Sequence, residues 1–372
     1  MLASGKVFAN CWQIVVSGIF SDKERIFKNK LCNICYPCQK VIFQIFLQII
    51  EKKTINSYTF TMQKTLFIGS TCADVIINVP FLPAPGKDEN ILSQKLSAGG
   101  CAFNVSSIVR QFGLPYILCS PVGSGIYGDF IEKRFAELGI PVFVKTPELE
   151  NGCCYCIVES NARRTFLCQH GAEYRFNEQW FSNINFSEID IIYFCGLEIE
   201  DVDGAKIISF LEQKTSEQKK LNHEITLFFA PGPRINNIQP ELLSRIFALK
   251  PILHLNDEEA VSFTKQQEIA QAAQSLTKLT GNSVIITEGK DGAFCYDKKI
   301  NQTASIPCQS NVKAIDTTGA GDCHCGTIIA SLKQGYSLFD SVKRANVLAA
   351  YIVTQPGSTI PEQKFQEITS LL

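Results

Sequence analysis

Gly319, Ala320, Gly321 and Asp322, in the stretch AIDTTGAGDCHCGTIIASL, are the residues of this chain best suited to chemistry. A strand end gives way there to three small residues and then to a long helical pattern. Small residues at a helix start leave backbone N–H groups unobstructed, and with the helix dipole they form a pocket for a developing anion. Asp322 at the rim of that pocket can take a proton from an attacking hydroxyl, and the helix start is expected to keep it ionised with little difficulty. The same four residues would also serve simply to turn the chain and complement the dipole.

A second glycine pair opens a second helix in SAGGCAFNVSSIVRQFG. Gly99 and Gly100 permit a ligand to approach the backbone closely, and Asn104 can both donate and accept a hydrogen bond, as a sugar hydroxyl requires. A plain strand-to-helix turn with an ordinary polar residue is the alternative. No Walker A loop is present, because Gly289-Lys290 is followed by Asp291 and the upstream glycine spacing is wrong.

The elements that must hold these residues follow from hydrophobic periodicity. From Thr65 onward the strand-length apolar runs TLFIG, YILCS, DIIYFCG, ITLFF, ILHL and SVIIT alternate with helical stretches such as Asp129 to Leu138 and Gln266 to Leu279. Such alternation predicts an α/β fold, a mainly parallel sheet with helices on both faces. Residues 75–98 and 153–169 instead show period-two patterning without an intervening helix, which predicts a small β-sheet lid beside the main sheet.

The chain of 372 residues is 45% apolar, enough for a large core. With 35 basic and 36 acidic residues, nothing in the total charge points to nucleic acid, and a small-molecule substrate is expected. The charge is uneven: residues 1–61 carry eight Lys/Arg against three Asp/Glu, a net of +5 that leaves −6 for the remainder. This atypical basic extension precedes Met62, which is read as the true start, with residues 62–372 as the functional domain. Within the extension, Cys32, Cys35 and Cys38 lack a fourth ligand and are read as fortuitous rather than as a metal site. The longest apolar run, Val41 to Ile50, is about half of what spans a bilayer, so no membrane partner is expected; the stretch Val41 to Lys53 could still form an amphipathic surface helix. Sixteen cysteines scattered through a long chain without a signal pattern point to a reducing cytoplasm.

Together with Asp74 after the first strand, DTTGAGD at 316–322 and AGGCAFN at 98–104 resemble the two signatures of the ribokinase family of carbohydrate and nucleoside kinases, also called the phosphofructokinase B family. The resemblance runs from about Thr65 to Pro361. It implies a three-layer α/β/α core and ATP-dependent phosphorylation of a primary or anomeric hydroxyl of a small sugar or sugar-like substrate. A nucleoside kinase, or a non-catalytic sugar-binding regulatory protein on the same fold, are the alternatives.

By the same resemblance Asp322 is the catalytic base and Gly319, Ala320 and Gly321 are its anion hole. Asp74, Gly99, Gly100, Asn104 and Glu198 are substrate contacts. Asn256 and Glu259 match an Asn-x-x-Glu motif that organises magnesium, through water, and phosphate. Thr287, Gly289 and Gly292 form the nucleotide turn, and Asn346 lies on the adenine-side helix. Asp316, Thr318, Gly357 and Thr359 resemble a potassium-binding pair of loops, and a homodimer formed through the lid is implied. Cys101, Phe229 and His324 depart from ribokinase itself, which speaks against ribose as the substrate. Cys323 and Cys325, flanking His324, are read as packing residues. Arg163 and Arg164 are read as solvated hairpin charge in preference to phosphate ligands, and His170 and Glu173 as residues that close over substrate.

Overall fold

The computed structural model describes residues 62–161, 163–308, 312–370 and 372; the readings made for residues 1–61 lie outside the described residues. The strands are β1 (Lys64–Ile68), β2 (Cys72–Val79), β3 (Ser93–Gly99), β4 (Tyr116–Cys119), β5 (Pro121–Ser124), β6 (Val144–Glu150) and β7 (Cys153–Glu159). They continue as β8 (Arg164–Gln169), β9 (Ile189–Cys195), β10 (Thr226–Ala230), β11 (Ile252–Asn256), β12 (Val284–Thr287), β13 (Ala293–Asp297) and β14 (Gln302–Ile306).

Eight strands form one sheet in the order β14-β13-β12-β11-β10-β9-β1-β4. The pairings from β12 to β4 are parallel, and β13 and β14 add an antiparallel edge. The runs are apolar throughout because both faces are covered. In β1, Leu66 and Ile68 pack toward the helices Gly204–Lys220, Pro240–Ala248 and Ile269–Thr280. Phe67 points the other way, toward the helices Cys101–Gln111, Gly125–Leu138, Ala320–Lys333 and Leu338–Ile352. Three layers result, as expected.

A second sheet, β3-β2-β7-β8, corresponds to the two stretches of period-two patterning. Its side chains alternate. Asp74, Ile76, Cys154, Cys156, Val158, Arg164, Phe166 and Cys168 share the face toward a cavity, while Val75, Ile77 and Tyr155 pack on the opposite side with Tyr127 and Phe130. Strands β5 and β6 form a separate parallel pair. Among the described residues no helix is long and apolar enough to cross a membrane.

Candidate active site

Two glycine-started helices meet at Asp322. Gly319 caps Ala320–Lys333 with φ 75°, a left-handed value, and a Cβ there would lie 2.6 Å from that of Ser358, so only glycine fits. Gly100 caps Cys101–Gln111 with φ 99°. From the first turns of these helices Asn104 donates its amide N–H to Asp322 Oδ2 at 2.8 Å and accepts from Ser358 Oγ at 3.0 Å. Asn104 is buried, so its amide positions the carboxylate as well as bordering the cavity.

Burial pushes Asp322 up to about 6, against the bonds from Asn104 and Cys101 and with repulsion from Glu198 adding to it. Asp74 is likewise pushed up to about 6, mainly by burial and further by Asp322, while the Cys72 thiol at 3.7 Å opposes the rise. Desolvation thus makes Asp322 harder to ionise than an ordinary carboxyl at a helix start, while at about 6 it is still mostly ionised at pH 7. Such a group suits proton abstraction near neutral pH. An acid limb at about pH 6 is expected in kcat/KM, with activity lost as pH falls and Asp322 gains its proton. Asn104→Leu removes a donor that favours the carboxylate and shifts that limb upward. An unmoved limb in the pH–rate profile of this variant would count against Asp322 as its source.

The cavity beside Asp322 measures about 220 Å³ and is walled by the second sheet, by Gly100 to Asn104, by Thr318 to Asp322 and by Gly357 and Ser358. Of the expected substrate contacts, Asp74, Gly100 and Asn104 reach it. Gly99 does not; it makes room, since a Cβ there would sit 1.9 Å from Asp74 Oδ2. Gly99→Ala should swing Asp74 out of place and raise the acceptor KM about 10- to 100-fold, an effect of misplacement read by steady-state kinetics. Glu198 is also corrected: it is 3% exposed, accepts from Ser70 N at 2.7 Å and from the Cys195 thiol at 2.7 Å, and lies off the cavity wall. Its carboxylate ties the end of β1 to the end of β9.

The two adjacent arginines part company because they sit on either side of a strand boundary. Arg163 is exposed and lies 3.8 Å from Glu159, as solvated charge. Arg164, by contrast, reaches across the cavity to Asp316 at 2.8 Å and to Thr318 Oγ1 at 2.9 Å, which overturns its reading as hairpin charge. Asp316 also accepts from Gly357 N at 2.9 Å and Thr318 N at 2.7 Å. Although burial opposes it, these bonds and the Arg164 charge hold Asp316 below the ordinary carboxylate range. Ile315 N and Asp316 N both donate to Val353 O, so the loops carrying Asp316 and Gly357 run side by side; the Thr359 carbonyl there accepts from Gln355 Nε2. His170 stacks on Tyr174 at 3.7 Å and bonds Asp201 at 2.7 Å on the cavity edge. Glu173 borders the cavity, but its carboxylate is spent on Gly152 N, Gly171 N and Asn151. Arg234, which the sequence did not single out, also lines the wall.

A second cavity of about 530 Å³ lies on the other side of the same helix start. It brings together Thr287, Gly289, Gly292 and Asn346 of the expected nucleotide set with Ala320 and Gly321 of the expected anion hole. Asn346 turns its amide inward, donating to Ile306 O at 2.8 Å, while its Oδ1 meets His324 Nε2 at 3.0 Å. His324 Nδ1 in turn meets His254 Nε2 at 2.8 Å. Burial lowers His324 to about 4, and His254 is also lowered, so both rings are neutral at pH 7. The Asn346 oxygen can only accept, so His324 donates from Nε2 and must receive from His254 at Nδ1. Cys323 and Cys325 are buried as packing residues.

Asn256 and Glu259 line neither cavity. Asn256 Oδ1 accepts from Glu259 N and Glu259 Oε2 accepts from Asn256 N, a capping box that starts the helix Asp257–Thr264. The spacing read as a magnesium motif thus has a structural duty of its own. Burial, with Glu258 and Asp257 nearby, raises Glu259. Among the described residues no group of three or more His, Cys, Asp or Glu could hold a metal ion.

The chain matches pfkB family carbohydrate kinase over residues 62–364. It is 29% identical over 301 residues to the uncharacterized sugar kinase YegV of Escherichia coli (strain K12), across 80% of this chain and 90% of that protein. To the ribokinase of Haemophilus influenzae it is 26% identical over 316 residues, across 82% of this chain and 97% of that protein. The structure of ribokinase from Giardia lamblia superposes with a TM-score of 0.71 at 20% identity, over 83% of this chain and 99% of that chain. A match that runs through both glycine-started helices and every strand of the main sheet leaves one conclusion: the chain belongs to the pfkB family of carbohydrate kinases.

Proposed function

We propose that residues 62–372 transfer the γ-phosphoryl of ATP to a hydroxyl of a small sugar or sugar-like substrate. One observation carries the reading: a single helix start, Gly319 to Asp322, is the partition between the two cavities, with Asp322 facing one and Ala320 and Gly321 facing the other. An acceptor hydroxyl in the first gives its proton to Asp322 as its oxygen attacks phosphorus, and ADP departs on the opposite side. Gly321 and Asp322 lie in the first helical turn, where the backbone N–H groups lack intrahelical partners and can receive charge from the moving phosphoryl group. Asp74 orients the acceptor. The second sheet is the lid, whose closure excludes water.

The donor chemistry fits two hard cations. Glu259 has a carboxylate oxygen outside the capping box to hold magnesium through water, and the carbonyl-rich loops of Asp316, Thr318, Gly357 and Thr359 suit potassium. These ions would neutralise phosphate charge and rigidify the loops. A cytoplasmic homodimer packed through the lid fits Leu96 and Leu167, exposed on its outer face, and sedimentation reads that state.

A nucleoside acceptor is the second reading. Phe166 on the lid and the stacked His170 and Tyr174 give the first cavity an aromatic edge, as a base would need. ADP release with magnesium and potassium, over pentoses, hexoses, sugar phosphates, sugar acids and nucleosides, separates the two. Saturable sugar binding with no ADP from any acceptor would overturn both and leave a regulatory protein.

A further inference from the structure

Phosphoryl transfer uses none of the thiols that crowd the first cavity, where Cys72, Cys101, Cys153, Cys154, Cys156 and Cys168 all contribute to the wall. Two of them stand apart. Cys154 and Cys168 are directly opposite in the antiparallel pairing of β7 with β8, their sulfurs are 3.4 Å apart, and Cys168 is exposed. We propose that Cys154 and Cys168 are a redox modification site, a pair that peroxide converts to a reversible disulfide which distorts the acceptor cavity.

The backbone is suited to such a bridge. Directly opposed antiparallel residues have Cα atoms about 4.5 or 5.5 Å apart, inside the window of about 4.4–6.8 Å that disulfides occupy. The sulfurs need to approach by about 1.4 Å to reach the bonded distance of about 2.05 Å. Side-chain rotation and a small drawing together of the strands supply that. The chemistry assigns the thiols different parts. Burial and the bond to Cys168 push the Cys154 thiol up, so it stays protonated, whereas Cys168 is open to solvent.

The Cys168 thiolate attacks peroxide: an S–O bond forms, the O–O bond breaks, and the departing hydroxide takes a proton to become water. The Cys154 sulfur then attacks the sulfenic acid; an S–S bond forms, the S–O bond breaks, and a second water leaves with the Cys154 proton. Two thiols are oxidised and one peroxide is reduced to two waters. A reducing dithiol reverses the step by exchange.

The bridge bears on the acceptor because of what shares its face. Cys154 is in register with Asp74 on β2, and Phe166 and Arg164 project from β8 on the same side as Cys168. Opposed Cβ atoms about 4.5–5.5 Å apart must close toward the disulfide mean of about 3.8 Å, pulling β8 toward β7 and with it Arg164 away from Asp316. This consequence rests on the first cavity being the acceptor site; formation of the bridge does not.

The test treats the reduced full-length protein with graded hydrogen peroxide, blocks remaining thiols, and maps peptides without reduction while ADP release is measured in parallel. The expected result is a linked pair joining Cys154 to Cys168, two hydrogens lighter, with kcat/KM for the acceptor down about 10-fold or more and restored by dithiothreitol. Cys154→Ser and Cys168→Ser, each compared with its own untreated form, should lose no activity to the same peroxide. A linkage at other cysteines in place of this one, such as Cys101 with Cys195, overturns the site. Inactivation of both serine variants as deep as that of the parent, or a linked protein with unchanged kinetics, overturns the effect on the acceptor cavity. If the pair links in a protein that makes no ADP with any acceptor, the bridge stands and the kinase reading falls.

Discussion

Replacing Asp322 with asparagine lowers kcat by about 100- to 10,000-fold while ATP still binds, because the variant keeps the helix start and loses only the proton acceptor. Substrate-dependent ADP release measures the first part and calorimetric ATP titration the second; near-normal turnover refutes the assignment. The same substitution stabilises the fold. Asp322 titrates near 6 in the folded protein against an ordinary 3.8, so the native state holds its proton more tightly. Stability from this site is therefore undiminished below about pH 3.8, falls as pH rises from there to about 6, and stays low above. The ionised carboxylate costs the fold roughly 3 kcal/mol, an upper figure, at pH 7. A neutral asparagine avoids that penalty, so the inactive variant should melt higher than the parent at pH 7 and no higher near pH 4. An inactive variant that melts lower at pH 7 has lost its structure as well as its base.

Arg164→Met is expected to lower kcat/KM about 100-fold, or about 2.7 kcal/mol, since a partly buried carboxylate is left without its cation. Arg164 and Asp316 are 20% and 13% exposed, so solvent screens the pair only in part. Arg164 is a positioning residue in this account: it holds Asp316, which in turn holds Gly357 and Thr318. The acceptor KM should rise along with the fall in kcat, and ADP formation without acceptor should increase as water enters under a loosened lid. Asp316→Asn combined with Arg164→Met should be milder than the two single losses summed. Additivity within about 0.5 kcal/mol in that cycle would show that the pair is not coupled.

The layered fold was readable because hydrophobic runs of strand length recur between helical stretches, and TLFIG behaves as its composition demands. The two glycine-rich starts were readable for a similar reason: no side chain could replace Gly100 or Gly319 without collision. What the pattern could not reveal was direction. Period two places Arg164, Phe166 and Cys168 on one face of β8, but only the packed structure tells which face meets the cavity. Asn256 and Glu259 show one spacing meeting two demands, a helix cap and a metal-ordering motif, and the structure shows only the cap. Glu198 could not be placed from the pattern, because two carboxylates after apolar strands look alike until burial separates the one that faces the cavity from the one off its wall. A histidine inside ILHL was the one overlooked signal for His254, since an imidazole in an apolar strand needs a partner and His324 supplies it.

The partition at Gly319 to Asp322 also has a bearing on how such a protein diverges. Under the proposed function, the acceptor wall draws on alternate positions of β2, β7 and β8, while the opposite, donor compartment draws on β12, the following turn and the helix Leu338–Ile352. Beyond the shared turn, the two compartments have no residue in common. Mutations that exchange Ile76, Cys156 or Phe166 can thus retune the clientele of the protein while its fuel supply is inherited intact. A lineage built this way can explore new acceptors one lid position at a time, without passing through a form that has lost its phosphate donor.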